Sequence, residues 1–486
     1  MSSFSSKKFD VKEIACIAIM FILFFGTQYL PPFGHITPLG MKVLGVFLGL
    51  LWGWVFVDLV WTSLLGFFVL ALTGWTTPLG AVMAGFSNAT TSMIILSYCF
   101  AYCLAKVGVT ESIAYWVLGK KVFVGKPWLL VTALVLTAQL ISVAGGGFAG
   151  IFLMWGVVKS IADMNGLPKG SPVVCLLYAL ILYAGMLGGT MVPFMGGCIL
   201  YGGFLTKATG IVIQGVPFLL AGQIYGIVSE VLLILVAKML FKVDASGFNI
   251  SVEMCDGYAA YKNSRVQKIG LVATLVFFLA MLLPSVFKGA IWTTFASWGI
   301  VGWSILYLVF FNLLKDDEGK PVCTVAECWE RGIAWGPILL FMVTIPLANA
   351  MESDQIGIIA TVNEWCTALF GGLDLYVLYI VIAIVMGFLT QLLHNLVMGA
   401  VFIPIFAPIV IGMGGNPITF FMVIYAALCC SFATPAASMQ AALIFAKDDV
   451  PSSQAYKYGI AYYIVSTITI IAMIPLFDLM FAGYIW

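Results

Sequence analysis

The sequence predicts an all-α polytopic membrane protein with about 11 transmembrane helices, two re-entrant hairpins and an inverted-topology repeat. Three observations carry that expectation: a composition too apolar for water, apolar windows of membrane-crossing length, and two similar stretches in which such a window is interrupted. Of 486 residues, 62% are hydrophobic and 9% charged, with a mean hydropathy of +1.10. A soluble domain carries about 25% charged residues. Windows such as residues 14–26 (IACIAIMFILFFG), 64–75 (LLGFFVLALTGW) and 463–477 (YIVSTITIIAMIPLF) approach the length needed to cross a hydrocarbon core of about 30 Å as helices. The segments of about ten alternating residues that build a membrane barrel are missing.

Taken in order, the chain opens with Lys7, Lys8 and Lys12 ahead of the first apolar window. It has no small-residue cleavage site there, so the window reads as a retained span with its amino terminus in the cytoplasm. Loops 120–126, 238–268 and 315–331 also gather positive charge, and alternating spans place them inside too. The location expected is the inner or plasma membrane of the cell. Residues 1–79 and 269–331 read as scaffold spans, the latter with a loop, and 236–268 as a cytoplasmic connection. The net charge of +1 names no partner, and no basic stripe suggests nucleic acid. Arg265 and Arg331 are the only arginines, both in polar loops. The 11 cysteines lack C-x-x-C spacing and read as small buried hydrophobes rather than disulfides or metal ligands.

The two remaining segments, 80–235 and 332–486, read as repeats. Residues 129–194 and 375–438 each hold an apolar rise, a glycine-rich or weakly polar break, a short apolar segment, then an asparagine with a nearby proline (Asn165 and Pro168; Asn416 and Pro417). Superposing the asparagines puts Val143–Gly147 opposite His394 and Asn395. An odd number of crossings between matching points inverts one copy. The segments after each break are short for a full span, so re-entrant hairpins are expected at about 129–166 and 375–416. Gly145, Gly146 and Gly147 suit a hairpin tip, where backbone must reverse and approach closely. They also suit a close-packing surface between helices.

The order GFSN…LAKVGVTESIAYWVLGK (85–120), a broken hairpin, YAGMLGGTMVPF (183–194), a second hairpin at LLHNLVMGAVFIPIF (392–406) and SFATPAAS (431–438) resembles the divalent anion/sodium symporters, the dicarboxylate, citrate and sulfate carriers. WGWVFVD (52–58) is similar to that family's early Trp-Trp-x-x-Glu element, with Asp58 at the acidic place. The resemblance implies two hairpin tips holding a carboxylate and sodium between them, and a homodimer built on the scaffold. The family's tips carry Ser-Asn-Thr; here the second tip reads His394-Asn395-Leu396, and the first lies near SVAGGG. The family's Thr-Pro-Pro-Asn stretches are altered to GTMVPF (189–194) and ATPAAS (433–438).

Carried over residue by residue, the resemblance implies substrate contacts at Ser142, Gly145, Gly146, Gly147, Thr190, His394, Asn395, Thr434, Pro435 and Ser438. It places ion contacts at Gly189, Asn395 and Ala433. Asn395 can give its carbonyl to a cation and its NH₂ to an anion, or it can join spans by an interhelical hydrogen bond. His394 can carry charge or donate to a backbone carbonyl. Asp58 and Glu230, with His394, are the candidates for coupling to Na+ or H+, since an acid inside a span is a functional candidate by default.

The expected function is secondary active transport of a di- or tricarboxylate-like anion, with Na+ as the coupling ion and no other cofactor. The transport unit is expected to move against the scaffold in alternating access. A sodium-independent exchanger or an H+-coupled carrier of another solute is the alternative. An intramembrane enzyme or a channel is the alternative of another class; no H-E-x-x-H, G-x-S-x-G or P-loop motif supports an enzyme or an ATP-driven pump.

Overall fold

Proline one residue after a threonine or asparagine marks where several helices begin. Thr37 and Thr77 each accept a hydrogen bond from the backbone N–H three residues on, and Asn416 accepts two; Pro38, Pro78 and Pro417 follow them. Proline costs nothing at that position, because its missing N–H would have had no partner inside the helix. The computed structural model describes residues 11–483 except 146, 214, 286, 288, 334, 352, 359, 362, 363, 366–368, 370, 371, 394, 436 and 446.

In chain order the helices are α1 (Val11–Gly26), α2 (Pro38–Phe56), α3 (Val60–Leu72), α4 (Pro78–Phe86), α5 (Ala89–Val107), α6 (Val109–Leu118) and α7 (Pro127–Gly145). Then come α8 (Gly147–Met164), α9 (Pro172–Thr190), α10 (Gly196–Thr209), α11 (Val216–Met239), α12 (Val252–Ala259), α13 (Arg265–Leu282) and α14 (Ala290–Leu313). The last are α15 (Val325–Arg331), α16 (Trp335–Met351), α17 (Leu375–Leu392), α18 (Asn395–Gly412), α19 (Pro417–Leu428), α20 (Met439–Phe445) and α21 (Ser452–Phe481). Nine helices among the described residues are long and apolar enough to cross a membrane, and up to 11 if each of two bent pairs is one span. The expected polytopic helical fold is the one observed.

The chain forms two compact units. Residues 1–91 with 334–374 make the first, which holds α1 to α4 and α16. Here Gly45, Gly49 and Gly53 line one face of α2, and a Cβ at each would run into Thr27, Phe24 and Met20. Bare backbone lets α1 and α2 approach closely, as membrane helices do where no hydrophobic force drives them together. Asp58 lies in this unit. Its Oδ1 accepts from the N–H groups of Val60 and Trp61, both at 2.8 Å, so its carboxylate stops the open end of α3.

The second unit, 92–333 with 375–486, holds two hairpins, each followed by a buried helix. In the first hairpin, α7 and α8 pack on each other, and a Cβ on Gly150 would meet Ser142 Oγ and the Ala138 carbonyl. Its two outer ends converge on one residue: Gly125 N–H donates to Asn249 Oδ1 (3.0 Å), and Asn165 Nδ2 donates to the Asn249 carbonyl (2.7 Å). In the second hairpin, the start of α17 and the end of α18 converge likewise. Tyr379 OH donates to the Asn416 carbonyl (3.4 Å), and Gly415 sits against Leu375 and Tyr379. Each hairpin thus returns to the side from which it set out.

The helices that follow, α9 and α19, are the core of this unit. All of α9 from Val173 to Gly189 is buried, and so is all of α19. Each ends in an irregular break, 191–195 after α9 and 429–438 after α19, before a further helix begins. The altered proline-bearing stretches singled out in the sequence lie at these breaks.

Candidate functional site

Two helices that stop inside a protein leave their last carbonyls without partners from the helix. The ends of α9 and α19 meet in this state. Tyr425 OH donates to the Thr190 carbonyl (2.9 Å), and Thr190 Oγ1 lies 3.7 Å from Cys429 Sγ while also donating to the Met186 carbonyl (2.7 Å). Both carbonyl ends carry partial negative charge, which suits a cation. Beside the break after α19 stands the start of α18 at Asn395, a helix end of the opposite sign, whose N–H donates to the Ala437 carbonyl.

Gln391, one residue before the end of α17, is the main fastening of the second tip. Its Nε2 donates to the carbonyls of Gly387 (2.7 Å) and Cys430 (2.8 Å). Its Oε1 accepts from the N–H groups of Phe432 (3.1 Å) and Ala433 (2.8 Å), and its own carbonyl accepts from Thr434 Oγ1. Asn395 N–H donates to the Ala437 carbonyl (2.9 Å), and Ser438 Oγ donates to the Ser431 carbonyl (2.8 Å). The apolar run around residues 391–395 therefore carries glutamine because three backbone groups of an unwound segment need partners away from water.

The first hairpin has a counterpart. Gln139 on α7 is buried, and its Nε2 donates to Gln223 Oε1 (2.8 Å) and to the Gln223 carbonyl (3.2 Å). Gln223 Nε2 in turn donates to the Gly188 carbonyl (3.3 Å). A Cβ on Gly188 would lie 2.4 Å from the Gln139 carbonyl, so α9 touches α7 by bare backbone just before its end. The short stretch 188–190 thus bears on the first hairpin with one residue and on α19 with another.

Of the residues expected at the site, Asn395, Ala433, Thr434 and Ser438 belong to the fastening around Gln391, and Thr190 is at the meeting of α9 and α19. Gly189 is buried beside it, and Pro435 is exposed at the surface of the break. Ser142 is fully buried in α7. Gly145 and Gly147 end α7 and begin α8, whereas Gly146 and His394 lie outside the described residues. Glu230, on α11, is fully buried, and neither carboxylate oxygen has a hydrogen-bond partner among the described residues. Asp58 belongs to the first unit, as the cap of α3.

Sequence reasoning missed Gln139, Gln223, Tyr425, Cys429 and Ser431. The signal for Gln139 was present: aligning Asn165 with Asn416 places it one residue from Gln391. Ser431 Oγ, Thr390 Oγ1 and Gln139 Oε1 are buried without partners among the described residues, and all three lie close to the fastenings described.

Gly459 on α21 is a sensitive point. A Cβ there would lie 2.4 Å from the Phe432 carbonyl and 2.8 Å from the Ala433 Cα. Those are backbone atoms held by Gln391, so they cannot yield cheaply. Gly459→Ala is expected to cost about 1–3 kcal/mol and to lower transport more than Gly156→Ala, whose Cβ would meet open space. Thermal unfolding in detergent and uptake rates of the two variants check this.

Residues 8–482 match the family described as the sodium:sulfate symporter transmembrane region. A protein of Haemophilus influenzae described as an uncharacterized transporter is 23% identical over 206 residues, which cover 42% of this chain and 44% of that one. The chain thus spans less than half the length of this curated relative. Among solved structures, the YdaH transporter of Alcanivorax borkumensis, described as having an unusual topology, shares the fold. The TM-score is 0.55 at 12% identity, covering 85% of this chain and 90% of that one.

Proposed function

We propose, from the premise that the chain belongs to the sodium:sulfate symporter family, that it carries a small organic anion of the di- or tricarboxylate kind by alternating access coupled to Na+. Secondary transport by an integral membrane protein is the level that the family and the transporter relatives support directly. The finer reading rests on one observation: the carbonyl ends of α9 and α19 meet, with the start of α18 at the break after α19 and buried side chains lacking partners close by.

On this reading the hairpins are re-entrant and belong to oppositely oriented repeats. The N-terminal ends of α8 and α18 face the anion, doing in an arginine-poor membrane region what a guanidinium would do elsewhere. The carbonyls ending α9 and α19, with the Asn395 side chain, face Na+. Interrupted helices are tolerated inside a membrane where they line such a cavity. The carrier is taken to be a homodimer, as the family resemblance implies.

H+ coupling is the second reading, and Glu230 favours it. An isolated carboxylate out of water costs far more than a hydrogen bond returns, so the group holds a proton or a cation. Both readings are tested by uptake into proteoliposomes under an inward Na+ gradient or an inward H+ gradient. Succinate, citrate and sulfate are the solutes offered. The expected result is uptake of one of the carboxylates that falls at least tenfold when Na+ is replaced by K+, with Glu230→Gln behaving as the parent. Uptake driven by H+ alone and abolished by Glu230→Gln establishes the second reading. No uptake of any of the three under either gradient refutes the substrate class.

A further inference from the structure

Cys103 meets two cysteines more than 200 positions later in the chain, Cys323 and Cys328, in the second unit. Cys103 lies on α5, Cys323 in the connector after α14, and Cys328 on α15. All three are buried, and their sulfurs lie within 4.8 Å of one another. Cys323 and Cys328 are 3.3 Å apart, Sγ to Sγ. Cys99, one turn before Cys103, directs its Sγ to the Cys328 carbonyl at 3.6 Å.

The connector is fixed rather than loose. Val322 N–H donates to the Leu314 carbonyl (2.9 Å), Cys323 N–H to the Phe311 carbonyl (3.3 Å), and Val325 N–H to Asn312 Oδ1 (3.1 Å). Thr324 caps α15 by accepting from Glu327 N–H (3.2 Å). Glu327 then ties α15 to α5, accepting from Tyr102 OH (2.8 Å) and from Lys106 Nζ. Two covalently separate pieces of chain are thereby locked with three sulfurs pointing at one place.

We propose that Cys103, Cys323 and Cys328 form a site for one thiophilic d¹⁰ cation, of the Zn2+ or Cu+ class. Sulfur-only donor sets select these ions over the hard cations of transport. A metal–sulfur bond of about 2.3 Å in tetrahedral geometry separates its sulfurs by about 3.8 Å. The Cys323–Cys328 separation of 3.3 Å is about 0.5 Å short of that value, and all three sulfurs lie within 4.8 Å of one another, so they can close on one ion by small movements. On binding, each thiol gives its proton to solvent and its sulfur takes up the metal, with no change of oxidation state. Three donors suffice for trigonal Cu+; Zn2+ needs a fourth, and Cys99, whose Sγ lies outside the group of three, would have to swing from the Cys328 carbonyl onto the ion to supply it. The bound ion would clasp α5 to the connector and α15.

The test uses the purified full-length chain, reduced and then desalted. Zn2+ alone or Cu+ alone is added, and metal content is read by plasma mass spectrometry. The expected result is one metal per chain, with affinity at least tenfold lower in Cys103→Ser and Cys323→Ser and unchanged in Cys175→Ser. Cys99→Ser is expected to weaken Zn2+ and spare Cu+. Should the serine variants fail to fold, Co2+ added to the parent gives the answer alone, since thiolate ligation produces a near-ultraviolet charge-transfer band. Substoichiometric metal with free thiols, equal binding in the serine variants, no cobalt band, or a Cys323–Cys328 disulfide in place of the metal would each overturn the proposal.

Discussion

Replacing Gln391 with leucine is expected to destabilise the protein by about 2–4 kcal/mol and to abolish transport. Leucine nearly matches glutamine in volume, so little cavity opens and the loss isolates the polar groups. Four hydrogen bonds of the side chain disappear; Ala433 N–H is left buried without a partner, and Phe432 N–H and the Cys430 carbonyl keep only their bond to each other (3.0 Å). Each orphaned group costs about 1–3 kcal/mol. Gln391→Glu keeps an acceptor for both N–H groups but loses donors, so it should fall between parent and leucine variant. Melting in detergent, followed by aggregation or by intrinsic tryptophan fluorescence, measures the order. A leucine variant that melts with the parent would mean that the unwound segment 430–434 does not depend on Gln391.

The role of Gln391 marks the limit of what the sequence disclosed. Composition and window length gave the polytopic helical fold, because each apolar run of sufficient length has one stable state in a bilayer. The stretches 189–194 and 433–438, singled out by the resemblance, lie at the breaks after α9 and α19, where backbone irregularity needs glycine and proline locally. What fills the breaks is not local. Gln391 is satisfied by residues some forty positions later, and Thr190 meets Cys429 and Tyr425 from more than 230 positions away. No periodicity encodes such pairs. The cysteines make the same point: as isolated members of apolar runs they read as small hydrophobes, and only the folded chain brings Cys103 to Cys323 and Cys328. Asp58 shows the reverse case, an acid that invited a coupling role from its place in a motif and is seen capping α3.

Asn395→Ala is expected to separate transport from folding, with uptake reduced at least tenfold and stability changed by less than about 1 kcal/mol. A tenfold loss corresponds to about 1.4 kcal/mol of binding or barrier. The backbone N–H of residue 395 bonds the Ala437 carbonyl, and alanine keeps that bond. The side chain is only 5% exposed and makes no hydrogen bond among the described residues. Its amide atoms are not among the sealed, unpartnered ones, so water serves them in the empty protein and a solute or ion takes that place on binding. Removing it should therefore leave the fold as stable, while the loaded state loses its contact. The interhelical-glue reading demands the opposite: melting and uptake fall together. Asn395→Asp sharpens the assignment, because a carboxylate keeps an oxygen for Na+ and repels an anion. Retained Na+-dependent stabilisation with lost carboxylate uptake in that variant would assign the carbonyl to the cation and the NH₂ to the anion. Loss of Na+-dependent stabilisation in the aspartate variant would remove Asn395 from the cation site, and with it the proposal that one side chain joins the two ligands.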